Sequence, residues 1–320
     1  MNLLLQQTQF SSPLTALQLI EQKLGALAPN QVRIKMAMAN INPSDLLSIQ
    51  GVGQYQHYHK PPRVPGFEGV GYVVESNNHA VKVGEKVVVA HSGTWQKYVD
   101  LEPNDCFVIP HTIPEQYASQ LYINALTAWA IVQQLQINKN NVVLINAGSS
   151  AIGKIFSQFA QALGFKLITV TSRPEYCHKT TQYIIDSNKN IAQQMKAKSI
   201  PKPDIILDAI GGKAAEELAD LLKDDGQFLV YGSLALTPFS RDFYAKMKKK
   251  SIHFQYFFLR DWEKKVGKDQ RNIEFYAMLT HFIQHNIELN SEYLVPITDY
   301  QTAFRLLEKQ DLKGKILFTF

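Results

Sequence analysis

The chain has 320 residues, enough for one large core or two medium ones, so two domains are expected. A hydrophobic content of 45% against 19% charged residues excludes a disordered chain, and a net charge of +5 on dispersed basic residues does not imply nucleic acid. No apolar run approaches the ~20 residues of a membrane span. MNLLLQQTQF lacks the marks of a signal or transit peptide, and Cys106 and Cys177 allow at most one bridge, which suits a reducing cytoplasm.

In chain order, residues 1–118 read as mostly β. Short strands are expected over 31–38, 69–75, 86–90 and 96–100, parted by turn signals such as Asn77-Asn78 and Ser92-Gly93. Pro61, Pro62 and Pro65 mark an irregular loop between Gly51 and Gly66. Pro114 opens a helical stretch that 118–135 continues. From 141 to about 260 strands and helices alternate, with strands over 142–145, 166–170, 204–209, 226–231 and 252–259. That alternation predicts a doubly wound parallel sheet. Helices over 275–285 and 303–309 and a strand over 315–320 follow, and these last segments are expected to return to the first domain. The expected division is 1–118 with 262–320, and 119–261.

The stretch 141–173 carries the clearest chemistry. Val142 to Ile145 is a short apolar run rich in β-branched residues, as a buried parallel strand should be. Asn146, Ala147, Gly148, Ser149 and Ser150 form a turn of small residues. Ile152, Ile155, Phe156, Phe159, Ala160 and Leu163 then recur at helical spacing, and Gly164 stands where a C-terminal cap belongs. Strand, turn, helix and strand make one mononucleotide-binding unit. A helix start offers unpaired N–H groups and a positive dipole end to a diphosphate. Gly148, Ser149, Ser150 and Ala151 leave room for it, Ile152 follows, and Gly153 lets the helix pack close. The glycine pattern is incomplete, so an ordinary strand-to-helix loop is the competing reading. An NAD site commonly places an acid at the end of the second strand. Here stand Thr171, Ser172 and Arg173. A guanidinium can bind a 2′-phosphate in two places, which favours NADPH; a solvated surface arginine is the alternative.

NINPSD at 40–45, PGFEGVG at 65–71, GTW at 93–95, NALTAW at 124–129, NAGSSAIG at 146–153, IGG at 210–212 and YG at 231–232 occur in this order. With these motifs the chain resembles the medium-chain dehydrogenase/reductase superfamily, and within it most of all the 2-enoyl thioester reductases, with quinone oxidoreductases next. The resemblance covers nearly the whole chain. It implies an α/β protein with a GroES-like, mostly-β catalytic domain, a Rossmann cofactor domain, and an active site in the cleft between them. It also places Asn42 where the zinc-dependent branch has a cysteine and Phe67 where it has a histidine. Amide and phenyl groups do not replace thiolate and imidazole as zinc ligands, so no metal is expected. Glu68 then reads as structural rather than as a ligand, and His57 and His59 as exposed loop residues.

Without zinc, the negative charge that develops on the substrate oxygen needs a hydrogen-bond donor, and the α-carbon needs a proton. A tyrosine remains protonated at neutral pH and serves. The resemblance puts this tyrosine in the loop before the GFEG motif. Counting back from Gly69 selects Tyr55; counting forward from Gly51 meets Gly53, so Tyr58 stays in reserve. By resemblance, Asn42 lies near the nicotinamide ribose, Asn124 and Thr127 face the nicotinamide and its phosphate, and Tyr231 and Gly232 border the dinucleotide crevice. Phe258, Leu259 and Lys315 are further cofactor contacts of the same kind. Trp95 reads equally as pocket lining or core.

The expected reaction is NADPH-dependent reduction of a conjugated C=C bond, in a trans-2-enoyl thioester. Quinone reduction and a non-catalytic NADPH-binding redox sensor are the alternatives. The basic run Lys246, Lys248, Lys249 and Lys250 is either a solvated helix end or an attractor for coenzyme A phosphates or an acidic acyl-carrier protein. The apolar stretch 252–259 reads as a sheet edge, which invites pairing. Related reductases join such edges, so a homodimer is expected.

Overall fold

The computed structural model describes residues 1–56, 60–309 and 314–320. Tyr58, His57 and His59 lie outside the described residues. The chain divides into two units, Met1–Asn124 with Leu289–Phe320, and Ala125–Glu288.

The first unit opens with a hairpin of β1 (Asn2–Gln7) and β2 (Leu17–Gln22), joined through the short helix α1 (Pro13–Ala16). Ser12 and Pro13 mark the start of that helix, but no two-residue hairpin turn announces the pair. The main sheet starts with β3 (Val32–Asn40), followed by helix α2 (Pro43–Gln50) and strands β4 (Gly69–Ser76), β5 (Lys86–Val89), β6 (Tyr98–Leu101) and β7 (Cys106–Ile109). Val32, Ile34 and Met36 face the core at a period of two. Arg33 between them is also buried, because its guanidinium meets Glu75 and Asp100, each at 2.7 Å. The short helix α3 (Glu115–Ala118) and a π-helical turn, Leu121–Leu126, follow. The expected continuous helix over 118–135 is therefore broken, and its regular part is α4 (Thr127–Gln134), in the second unit.

The second unit is built on a six-stranded sheet. Its strands are β8 (Val142–Ile145), β9 (Lys166–Thr171), β10 (Tyr183–Asp186), β11 (Ile205–Asp208), β12 (Gln227–Val230) and β13 (His253–Tyr256). They stand in the order β10-β9-β8-β11-β12-β13, and every pairing is parallel. Strand order reverses between β8 and β11, where the loops of a doubly wound sheet leave a crevice. Helices α5 (Ala151–Leu163), α6 (Ile191–Ala197), α7 (Gly212–Leu218), α8 (Arg241–Lys249) and α9 (Leu259–Gln284) alternate with the strands. Gly164 ends α5 at φ 79°, the left-handed cap that the sequence predicts.

Three expectations change here. The strand expected over 252–259 is only four residues long, because its neighbour β12 ends at Val230; the Phe257 N–H still donates to the Val230 carbonyl at 2.8 Å, and Phe258 then caps α9. The return to the first unit falls at 289 rather than 262, because α9 packs inside the second unit: Phe282 and His281 meet Phe159 of α5 at 5.5 Å between ring centroids. The helix expected over 275–285 is the end of α9, which Gly267, at φ 82°, interrupts.

The chain then adds β14 (Ser291–Pro296), α10 (Tyr300–Leu307) and β15 (Lys315–Thr319) to the first unit. β15 lies between β14 and β3, parallel to the former and antiparallel to the latter.

Candidate functional site

In the first unit, the predicted residues Asn42, Asn124 and Lys315 come together around Glu68. Asn42 is the N-cap of α2: its backbone N–H donates to Asp45 Oδ2 at 2.8 Å, and the Asp45 N–H donates back to the Asn42 carbonyl at 3.0 Å. With that turn fixed, the Asn42 side chain, only 1% exposed, faces inward. Its Nδ2 donates to Glu68 Oε1 at 2.6 Å. Its Oδ1 accepts from Asn124 Nδ2 at 2.9 Å and from the Lys315 ammonium. Glu68 also accepts from Asn40 Nδ2 at 2.9 Å, and from the backbone N–H groups of Tyr122 (3.1 Å) and Ile123 (2.8 Å). Those two amides belong to the π-helical turn that carries Asn124, so one carboxylate ties β4, the α2 cap and the turn together.

Burial pushes the Glu68 carboxyl up, but Lys315 and the four N–H donors favour the charged form. Burial likewise raises Asp45 to about 7 with help from Glu68, against the hydrogen bond from Asn42 and the charges of Lys315 and Arg63. Lys315 is half-buried as a residue with its amine enclosed; burial lowers that amine to about 8, against the pull of Glu68 and Asp45. This cluster of mutually dependent charges is the part the sequence reading missed. The sequence gives Glu68 a structural place and Asp45 a capping position three residues after Asn42, but the meeting of Lys315 with Asn42, 273 residues apart, carries no local signal.

Tyr55 closes the short helical turn Gly53–Tyr55. It is 8% exposed and stacks on Phe67, with ring centroids 5.8 Å apart and planes 21° from parallel. Trp95 is entirely buried; its Nε1 donates to the Asn40 carbonyl at 3.1 Å and its ring meets the edge of Phe318. It is a core residue.

In the second unit, the turn after β8 is closed by its glycines. A Cβ on Gly148 would lie 1.9 Å from Thr169 Cγ2, and one on Gly153 would lie 2.3 Å from the Gly148 carbonyl oxygen. Ser150 caps α5, its Oγ accepting from the Gly153 N–H at 3.2 Å, and Ser149 Oγ meets Thr171 Oγ1 at 2.9 Å. Among the described residues no acceptor meets the backbone N–H groups of Ser149, Ala151 and Ile152. Three unpaired amides at a helix start, on partly exposed residues, fit the phosphates of a dinucleotide.

Asp208, at the carboxyl end of β11, is fully buried. It accepts from Asn146 Nδ2 and from the N–H groups of Ile210 (3.0 Å) and Gly211 (3.0 Å), and Asn146 Oδ1 accepts from the Ala209 N–H at 2.8 Å. This pair braces the two loops at the strand-order reversal. An acid ending the buried run IILD was its only sequence signal. Tyr231 follows β12, and its buried hydroxyl has no hydrogen-bond partner among the described residues, a second polar group available to a ligand. Burial raises its pKa, with Asp208 adding to the effect. Gly232 lies beside it, where a Cβ would come within 2.7 Å of the Ala209 carbonyl oxygen. Thr127 is buried at the start of α4, Ser172 is exposed, and the Arg173 guanidinium lies over the Tyr176 ring at 5.6 Å. Phe258 and Leu259 are at the start of α9, Leu259 buried.

The basic run is less free than its sequence suggests. Lys246 pairs with Asp220 at 2.7 Å and Lys250 with Asp224 at 3.6 Å. Among the described residues no group of three or more His, Cys, Asp or Glu is placed to hold a metal ion. No described helix is long and apolar enough to cross a membrane.

Residues 28–112 match the family model of the alcohol dehydrogenase GroES-like domain, and residues 151–269 that of the zinc-binding dehydrogenase. Mitochondrial enoyl-[acyl-carrier-protein] reductase of Rattus norvegicus is 30% identical, over 96% of this chain and 86% of its own. A Bacillus thuringiensis protein provisionally assigned as an NADPH:quinone reductase is 30% identical and superposes with a TM-score of 0.91 over 100% of this chain and 99% of that one. Escherichia coli quinone oxidoreductase, solved in complex with NADPH, shares the fold at 20% identity, with a TM-score of 0.87 over 99% and 100% of the two chains.

Proposed function

The chain belongs to the medium-chain dehydrogenase/reductase superfamily, in its zinc-independent group of enoyl and quinone reductases, and from that premise we propose that it is an NADPH-dependent reductase of a conjugated C=C bond in a trans-2-enoyl thioester. Bound NADPH supplies the hydride for the β-carbon. The Ser149, Ala151 and Ile152 amides would hold its diphosphate, with Gly148, Ser150 and Gly153 shaping the turn. Arg173, beside Ser172, would take the 2′-phosphate. Asn42, Asn124, Thr127, Tyr231, Gly232, Phe258, Leu259 and Lys315 would serve the nicotinamide half.

The observation that carries the choice of C=C reduction is Tyr55. The residue is buried and its ring is stacked on Phe67, which limits how far the ring that carries the hydroxyl can turn. In this role it donates to the substrate carbonyl oxygen as negative charge develops there, and it assists protonation of the α-carbon by giving up its own proton, which solvent replaces. A donor already in place costs no reorganisation at that moment. The stack is made within the first unit, so cofactor binding is not needed to build it.

Quinone reduction is the second reading, favoured by the B. thuringiensis likeness over the whole chain. A non-catalytic NADPH-binding sensor is the third. NADPH oxidation measured with crotonyl thioester, a simple enone and a quinone separates them: the proposal expects the thioester to have the highest kcat/KM, and a quinone preference or no turnover overturns it. The acyl group would be carried by coenzyme A or an acidic carrier protein. Both cysteines are free, and the proposal places the enzyme in a reducing compartment such as the cytoplasm.

A further inference from the structure

Tyr55 hangs from the end of α2, and the N-terminal hairpin holds that end. The helix closes in a left-handed turn at Gly51 (φ 68°, ψ 39°). The Gly51 N–H donates to the Ser48 carbonyl at 3.3 Å and the Val52 N–H to the Leu47 carbonyl at 3.1 Å, the paired bonds of a Schellman turn. The Val52 carbonyl then accepts from the Tyr55 N–H at 3.2 Å, so the tyrosine backbone moves with that turn. The last carbonyls of a helix have no partner within it. Here the Ile49 carbonyl accepts from Gln7 Nε2 at 2.8 Å, and the same nitrogen donates to the Gln9 carbonyl at 2.9 Å. Gln7 ends β1 and is wholly buried. Beyond the tyrosine, the Arg63 N–H donates to the Gln7 carbonyl at 3.2 Å, the Gln7 N–H donates to the Arg63 carbonyl at 2.7 Å, and Arg63 Nη2 donates to Ser48 Oγ at 2.7 Å. Gln7 thus grips the segment that carries Tyr55 on both sides. Three residues later stands Phe10, 43% exposed, and its ring packs on the Gly51 backbone: a Cβ on Gly51 would come within 2.7 Å of Phe10 Cδ1. One buried polar contact and one half-exposed apolar contact therefore reach the same turn from the hairpin.

We propose that Phe10, with Gln7 behind it, is a positioning residue for Tyr55: the tip of the N-terminal hairpin sets where the phenol stands relative to the substrate oxygen. The inference rests on the reading of Tyr55 as the donor. Phe10 acts only through the Gly51 turn. The contribution of a donor depends on its place at the developing charge, and a misplacement of about 1 Å can cost about 10²-fold in rate. None of the groups assigned to NADPH lies on this turn; Asn42 stands at the opposite end of α2 and is held there by Asp45 and Glu68. The hairpin forms a two-stranded sheet of its own, and this role gives it a part in the reaction.

The test is a double-mutant cycle of Phe10→Ala and Tyr55→Phe, read as kcat and KM for crotonyl thioester and as the dissociation constant of NADPH. Phe10→Ala should lower kcat about 10-fold, with KM and NADPH binding within about 2-fold of the parent, since the substrate and cofactor contacts remain and only the placement of the donor is lost. Phe10→Leu, which keeps a carbon where Cδ1 meets Gly51, should restore the rate. On the Tyr55→Phe background Phe10→Ala should cost nothing further, because the hydroxyl it positions is gone. Should the alanine variant fail to fold, Phe10→Val carries the same cycle. Parent kcat in the Phe10 variant, beside an impaired Tyr55→Phe, overturns this inference alone. So does an equal loss on both backgrounds, which a general part in stability would give. A parent protein without thioester turnover, or Tyr55→Phe at the parent rate, overturns the donor reading and this inference together.

Discussion

At the residue scale, the proposed chemistry depends on single polar atoms. Tyr55→Phe keeps the ring stacked on Phe67 and removes only the hydroxyl. Enoyl thioester reduction should fall by about 10²- to 10³-fold in both kcat and kcat/KM, the usual loss of one oxyanion donor. NADPH affinity should hold and quinone reduction should suffer much less. Tyr58→Phe is the parallel control; steady-state rates that fall with that change instead would move the donor to Tyr58. Arg173→Ala should weaken NADPH by about 10- to 100-fold, the range of a charged hydrogen bond, with NADH nearly unchanged in a binding titration. Asp45 offers a test by pH. Its carboxyl is raised to about 7 in the folded chain, so between roughly pH 4 and 7 the folded state holds a proton the unfolded state has lost. Its contribution to stability is present at low pH and fades as pH climbs through that window. Asp45→Asn keeps the acceptor for the Asn42 N–H and removes the titration. The melting temperature of the parent minus that of the variant should therefore drop from pH 4 to 7, and a flat difference would mean that Asp45 titrates normally.

At the element scale, the sequence made legible whatever repeats along a strand or helix. The run VVLI, the small-residue turn and the α5 periodicity gave the dinucleotide unit, and Gly164 gave its end. The hairpin β1–β2 was not legible, because residues 1–22 hold no two-residue turn signal and the pair is closed through α1. The break at Leu121–Leu126 was not legible either. Its cause is Glu68, 54 residues from Tyr122, which accepts from two amides of the turn. Site residues on the glycine turn were found from neighbours in sequence. Those around Glu68 were found only by resemblance, since β3, β4, the π-helical turn and β15 meet through the sheet and not along the chain. The lysines near the end of α8 show the limit of charge counting. Lys246 and Lys250 already face Asp220 and Asp224, so only Lys248 and Lys249 are left to steer an acidic partner. Changing those two to Gln should raise KM for the thioester and flatten its salt dependence if the surface guides substrate; an unchanged KM at low salt would make the run a plain helix end.

At the scale of the whole molecule, β13 is the outer strand of the six-stranded sheet, and Tyr256 on it is 54% exposed. The His253 and Phe257 N–H groups face β12, so the alternating Tyr256 N–H faces outward. We propose that two chains pair along this edge. Solution scattering at micromolar concentration should return the mass of a dimer, and Tyr256→Pro, which removes an outward donor without touching the β12 ladder, should return a monomer. A parent protein with the mass of a monomer would end the proposal. The pairing is independent of the enoyl-or-quinone question, since β13 carries none of the groups assigned to the reaction.

The place of β15 has a consequence for biosynthesis. This strand, from near the end of the chain, lies in the interior of the first unit's sheet, between β14 and β3, and it brings Lys315 to Asn42. The second unit, by contrast, is complete at Glu288. During translation β3 must therefore wait, with that edge uncovered, until β15 has left the ribosome, while the second unit can already fold. Lys315 reaches Asn42 only once β15 is in place, so a nascent chain can hold a finished second unit well before the cluster around Glu68 is complete.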